Sequence, residues 1–354
     1  MNPPSPAKPS GRPFRVALVG TDSLRGQEVK NLLSVKRFPL TSLDLFDPDV
    51  EEEYSKLCLF RDEPKVVHHL DAGALEGIDL VFLAADEGTN RTYGRLAATT
   101  GYQAIDLGGA FSGDESVPLV VAGVNDEAAA KAGCALIANP LPATIILSAL
   151  LDRLIGRFGV ATAVAFILRP ASAFDQAGIR ELADQSTAML AGASPKKEFF
   201  KERVAFNLLS RMEAPDAAGF SCAERQVISE VRRVLGRPGF PLTLSIVQAP
   251  VFHTFSIMAY VELAQPAGIA DLESVYRRSR LFKVGPKSGT CPVSSISVAG
   301  KDEIFIGQIK KEGDRPNAFW IWTVTDNLTR GSALNALEIA ACLREHRPPA
   351  PGRK

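Results

Sequence analysis

The 354-residue sequence predicts an α/β protein: a doubly wound parallel sheet domain, then an α+β domain with a mixed sheet. Three observations lead there. Short unbroken apolar runs alternate with helical patterns up to about residue 140. Beyond it the strands lengthen and crowd together between helices. The chain is also long enough to bury two cores.

Residues 1–13 (MNPPSPAKPSGRP) read as a disordered tail, rich in Pro and Ser and without an apolar segment. Residues 14–20 (FRVALVG) form a buried strand, followed by a helix with Val29, Leu32 and Leu33 on one face. A strand at 43–46 stops at the acidic stretch 47–53. Residues 78–84 are a strand, 93–100 a helix and 103–107 a strand, giving right-handed βαβ units. After Pro140 come a helix at 144–157, a strand at 160–168, and helices at 179–191 and 224–235. Strands follow at 242–251, 256–263, 304–309 and 318–324. The last helix, 332–344, places Ala333, Ala336, Leu337, Ala340 and Leu343 on one face, and 347–354 is a tail. The domains are therefore expected at 14–140 and 141–330, with 331–346 returning to the first.

Forty basic and forty acidic side chains cancel, so there is no global basic footprint for nucleic acid or acidic lipid. The longest apolar run, 161–168, is too short to span a bilayer, and a soluble cytoplasmic protein is expected. Cys58, Cys134, Cys222, Cys291 and Cys342 are scattered without CxxC spacing, and four histidines offer little to a metal. Reduced structural thiols and no metal site are the expectation.

Chemistry concentrates where the first strand meets the first helix, at Gly20, Thr21, Ser23, Leu24 and Gly26. Dinucleotide-binding chains place glycines here so that amides at a helix N-terminus reach a pyrophosphate. Ser23 stands where a third glycine would complete the spacing, and its Cβ limits close approach. The competing reading is a turn that only joins strand to helix. Asp47 ends the second strand where a ribose hydroxyl would sit, and the acidic run after it would repel a 2′-phosphate. NAD or NADP is thus a possible cofactor, with NAD favoured.

Several segments occur together in one order: Val117 to Val121 with Val124 and Asn125, Asn139 and Pro140, and Glu181 and Leu182 with Gln185. They continue with Ala205, Phe206 and Asn207, then Ala249 to Val251, Gly300 to Asp302, and Asp326 to Leu328 before Gly331. From Arg15 to Leu343 the chain resembles the aspartate-semialdehyde dehydrogenase family. The resemblance implies a Rossmann-like domain, a dimerisation domain forming a homodimer, and NADPH-dependent reduction of an acyl phosphate to its semialdehyde. It implies a cysteine nucleophile and a histidine acid/base, and it brings Asn327 near the nicotinamide.

Against that pattern the chain departs where the reaction occurs. Pro142 stands at the cysteine position, with neither a nucleophile nor an N–H. Phe255 stands at the histidine position; His253, two residues earlier, is expected on the same strand face. Gln248 and Ser112 replace arginines that hold carboxylate and phosphate, Gln226 replaces a lysine, and Arg169 replaces a glutamine, while Glu224 and Glu230 persist. Cys134 lies more than roughly 20 Å from Pro142 along an extended chain; Cys291 is the remaining thiol candidate. No catalytic residue is assigned. The expectation is a non-catalytic member that keeps fold, dimer and a nucleotide pocket. The alternatives are an oxidoreductase passing a hydride to a free carbonyl, assisted by His253 or Arg169, and an active aspartate-semialdehyde dehydrogenase of amino-acid biosynthesis.

Overall fold

A computed structural model describes residues 13–50, 56–71, 73–130, 135–286, 292–313 and 315–345. Cys134, Cys291, the acidic positions 51–53 and both expected tails, apart from Pro13, lie outside these described residues.

The first sheet begins with β1 (Phe14–Val19), whose last four residues are fully buried, then α1 (Leu24–Val35) and β2 (Leu40–Asp47). It continues with β3 (Lys56–Phe60), β4 (Glu63–His69), β5 (Leu80–Leu83), α2 (Glu87–Thr100), β6 (Gln103–Asp106), α3 (Glu127–Ala130) and β7 (Leu136–Ala138). The strand order is β3-β4-β2-β1-β5-β6-β7, parallel except for the antiparallel pair β3 and β4 at one edge. That pair interrupts the expected alternation of strand and helix. Arg61 and Asp62 turn it at φ 52° and 65°, the left-handed geometry of a two-residue hairpin. Leu57 and Leu59 of β3 stay exposed, so no buried apolar run marks these strands.

The second sheet is built from β8 (Val160–Arg169), β9 (Leu242–Gln248), β10 (Phe255–Leu263), β11 (Phe282–Val284), β12 (Ile304–Lys311) and β13 (Ala318–Thr325). Its order is β11-β12-β13-β10-β8-β9. Because β10 is antiparallel to β8 and β13 while β8 runs parallel to β9, the sheet is mixed, as expected. The ninth strand ends at Gln248 rather than 251. Helices α4 (Pro142–Phe158), α5 (Asp175–Leu190), α6 (Cys222–Val234), α7 (Ile269–Arg277) and α8 (Ser295–Val298) complete the domain.

Alternation gives this sheet two unlike faces. Ala163, Ala165 and Ile167 of β8 join a core with Ile146, Leu150, Val227 and Val231 from α4 and α6. On the opposite side Val164, Tyr260 and Trp320 fall in register across three strands, as do Phe166, Met258 and Trp322. Phe166 is 44% exposed and Trp320 37%. This leaves a row of aromatic and apolar side chains open to water on the face away from the core.

A π-helical turn (Thr329–Ala333) leads into α9 (Leu334–Glu345), so the last helix starts two residues later than its expected first residue. Leu334, Leu337, Ile339 and Leu343 pack with Phe14, Val29 and Leu33 in the first domain's core. Asn335, fully buried, receives the Ala122 amide at 2.8 Å and donates to Val120 O at 2.9 Å and Asn139 Oδ1 at 2.7 Å.

Candidate functional site

A cavity of about 350 Å³ opens at the carboxyl ends of the parallel strands, the usual ligand position in such sheets. Leu24 and Arg25 reach it after β1, Leu107 and Gly109 after β6, and residues from Asn139 to Ala143 after β7. From the second domain come Arg169, Ser172 to Phe174 of a 3-10 turn, Gln226, Phe255 and Asn327.

Glycine is required at both ends of the β1–α1 turn. Gly20 has φ 90°, and a Cβ there would lie 2.4 Å from the Ala85 nitrogen. A Cβ on Gly26 would lie 2.0 Å from Gly20 O, so α1 packs directly on the turn. Ser23 caps α1: its Oγ accepts the Gly26 amide at 3.0 Å and lies 2.7 Å from Ala84 O, to which it donates. Asp47 is buried and already engaged. It accepts the Thr21 amide at 2.7 Å and the Thr21 hydroxyl, and it pairs with Lys56 at 3.3 Å. Lys56 also pairs with Asp22; although its partial burial opposes the charge, these carboxylates hold its ammonium above the usual range. Leu24 donates its amide to Asp175 of the second domain at 3.0 Å. Of the residues singled out in the sequence, Leu24 and Asn327 line the cavity, whereas Gly20, Thr21, Ser23, Gly26 and Asp47 build the turn behind Leu24 and are not among its lining. Asn327 accepts the Thr254 amide at 3.0 Å and shares a hydrogen bond with Ser172.

Pro142 is the first residue of α4, where the lack of an N–H costs nothing. Its ring packs at Gly331 of the π-helical turn. Beneath it Glu230, 2% exposed, accepts the Leu141 amide at 3.1 Å, the Thr144 hydroxyl at 2.6 Å and the Gln226 side chain at 2.9 Å. Burial, partly offset by these donors, raises the Glu230 carboxyl above the usual range. Glu224 instead caps α6 with Ser221 and accepts the Ile246 amide at 2.8 Å.

Phe255 is buried in the second core and faces the cavity. His253 does not share its strand face as expected. Thr254 adopts φ 76°, β10 starts only at Phe255, and the two-residue parity between 253 and 255 is broken. His253 sits half-buried in the preceding bend and is not among the residues lining the cavity. Arg169 does line it. Its guanidinium lies 4.4 Å from the Phe174 ring centroid, donates to Gln248 at 3.3 Å and is 3.9 Å from Glu213. Desolvation is the main influence on this group and pulls its pKa down. Among the described lining residues there is no cysteine, histidine or lysine. Also among the described residues, no group of three or more His, Cys, Asp or Glu is placed to hold a metal.

These features define a two-domain protein with a dinucleotide-type first domain and an interdomain cleft whose described lining includes no cysteine or histidine. Residues 15–132 match the profile of the semialdehyde dehydrogenase NAD binding domain, and 148–330 that of the semialdehyde dehydrogenase dimerisation domain. The chain belongs to the semialdehyde dehydrogenase family. It is 28% identical to a USG-1 protein homolog of Pseudomonas aeruginosa, over 95% of this chain and 99% of that one. It is also 28% identical to the aspartate-semialdehyde dehydrogenase of Prochlorococcus marinus, over 94% and 96%. A solved structure of a probable aspartate-semialdehyde dehydrogenase from Pseudomonas aeruginosa superposes with TM-score 0.87 at 28% identity, covering 94% of this chain and 98% of that one. Aspartate semialdehyde dehydrogenase II of Vibrio cholerae, complexed with ASA, gives 0.89 at 24% identity over 94% and 98%, a likeness of fold.

Proposed function

We propose that this chain is a non-catalytic member of its family, a cytoplasmic homodimer that serves as a binding or assembly partner rather than as a dehydrogenase. One observation carries the reading: Pro142 and Phe255, which the sequence resemblance aligns with the family's cysteine and histidine, both line the cavity, and no described lining residue is a cysteine or histidine. A thioester cannot form on a proline ring, and losing a nucleophile costs many orders of magnitude in rate. The ranked aromatic face of the second sheet supports the homodimer. If a nucleotide enters, Gly20, Thr21, Ser23, Leu24 and Gly26 would meet it on one side and Asn327 on the other. Asp47 favours NAD over NADP, a preference that Lys56 beside it tempers.

The test is turnover of purified protein with aspartate semialdehyde, phosphate and either NAD or NADP, followed by nicotinamide absorbance. The expected result is a rate indistinguishable from the protein-free control. Steady turnover lost in Cys291→Ser would overturn the reading.

A further inference from the structure

Two helix N-termini from different domains converge on one carboxylate oxygen. Asp175 Oδ1 accepts the Leu24 amide of α1 at 3.0 Å and the Gln176 amide of α5 at 2.8 Å. The α1 terminus is where a dinucleotide-binding domain offers its amides to a pyrophosphate. Two further amides of the turn are also taken. The Thr21 amide is held by Asp47 and the Gly26 amide by Ser23 Oγ.

The carboxylate is fixed in place. Asp175 adopts φ 56° and ψ −154°, a backbone region that residues other than glycine rarely enter without strain. Phe174 before it is clamped under the Arg169 guanidinium and packs edge-on against Phe199 and Phe200. Among the described lining residues the charged groups are Arg25, Arg169 and Asp175, and of these Asp175 alone is negative.

We infer that Asp175 is a built-in occupant of the phosphate end of the cleft, so that the second domain holds the dinucleotide site shut. Its carboxylate uses an amide that a phosphate would need and presents like charge to that phosphate. Nucleotide binds only as far as Asp175 withdraws. The inference deepens the nucleotide part of the function proposed above and rests on that part alone; the lack of catalysis stands separately on Pro142 and Phe255.

The experiment compares the full-length protein with Asp175→Gly and Asp175→Asn, each titrated calorimetrically with NAD, ADP and inorganic pyrophosphate at low salt. Asp175→Gly also relieves the positive φ. It is expected to bind at least about tenfold more tightly than the parent, the ratio that roughly 1.4 kcal/mol of relieved repulsion gives. Asp175→Asn keeps the side-chain shape while removing the charge, and is expected to gain severalfold; it carries the test if the glycine variant fails to fold. Circular dichroism and native mass check folding and assembly. Equal affinity in parent and folded variants, or no binding of any probe by any of them, overturns the inference. Neither result touches the turnover assay.

Discussion

Replacing Glu230 tests how the second domain supports the start of α4 beneath Pro142. Its carboxylate takes three donors, and Glu230→Ala strands two of them, the Leu141 N–H and the Thr144 hydroxyl, in a buried setting. Each unpaired buried donor costs about 1–3 kcal/mol. Removing a desolvated carboxylate returns part of this, leaving a net loss of roughly 3 kcal/mol. For a chain this long that is a fall of roughly 5 °C in Tm. Glu230→Gln keeps a carbonyl oxygen for Leu141 and Thr144, and Gln226 can turn its amide to match, so a change below about 1 kcal/mol is expected at neutral pH. The pH dependence has a definite sign. Burial raises the folded-state value above the ordinary 4.5, so the folded protein binds this proton more readily than the unfolded chain. The linked stability is complete below 4.5 and is lost as pH rises through the raised folded value. The wild type should therefore gain on Glu230→Gln as pH is lowered toward 4.5. Urea unfolding of the three proteins over a pH series reads both effects. An alanine variant as stable as wild type, or a wild-type-to-glutamine gap that does not move with pH, would refute this account.

Other expectations follow from single contacts. Asn335→Ala removes three buried hydrogen bonds that tie α9 to the first domain and to Asn139, and should lose about 2–4 kcal/mol by urea unfolding. Gly26→Ala drives a Cβ into Gly20 O and should cost about 3 kcal/mol or prevent folding. Gly156→Ala, in α4 with nothing near its added methyl, should instead stabilise by roughly 0.5–1 kcal/mol, so the pair separates backbone collision from helix propensity in one melting experiment. Phe166→Glu places a charge in the exposed aromatic ladder and should shift sedimentation toward monomer without lowering monomer helicity; an unchanged dimer would place the interface elsewhere.

Much of the first domain is legible in the sequence because a parallel strand covered on both faces must be apolar, as β5 is throughout and β1 is from Val16 to Val19. The hairpin of β3 and β4 is hidden for the opposite reason, since an edge pair with one wet side mixes Lys, Glu and His among its leucines and valines. Glycines 20 and 26 carry a readable spacing, and both prove sterically necessary. Ser23 reads in the sequence as a limit on approach, whereas in the fold its hydroxyl organises the helix start. The cleft's far wall leaves no such trace. Asp175 meets Leu24 across 151 positions, and nothing near either residue announces the encounter. Nor does spacing place His253, because the left-handed backbone at Thr254, a β-branched residue, is set by the chain around it and not by its own preference.

The second sheet is one residue thick, and that thinness has a consequence for how such a protein can change. Along β8, Ile167 looks into the core while Phe166 beside it looks out to water. A substitution that silences the inner side therefore leaves its neighbour's outward side chain untouched. Core packing and outward surface are separable at the level of odd and even positions, so either can vary while the other is kept.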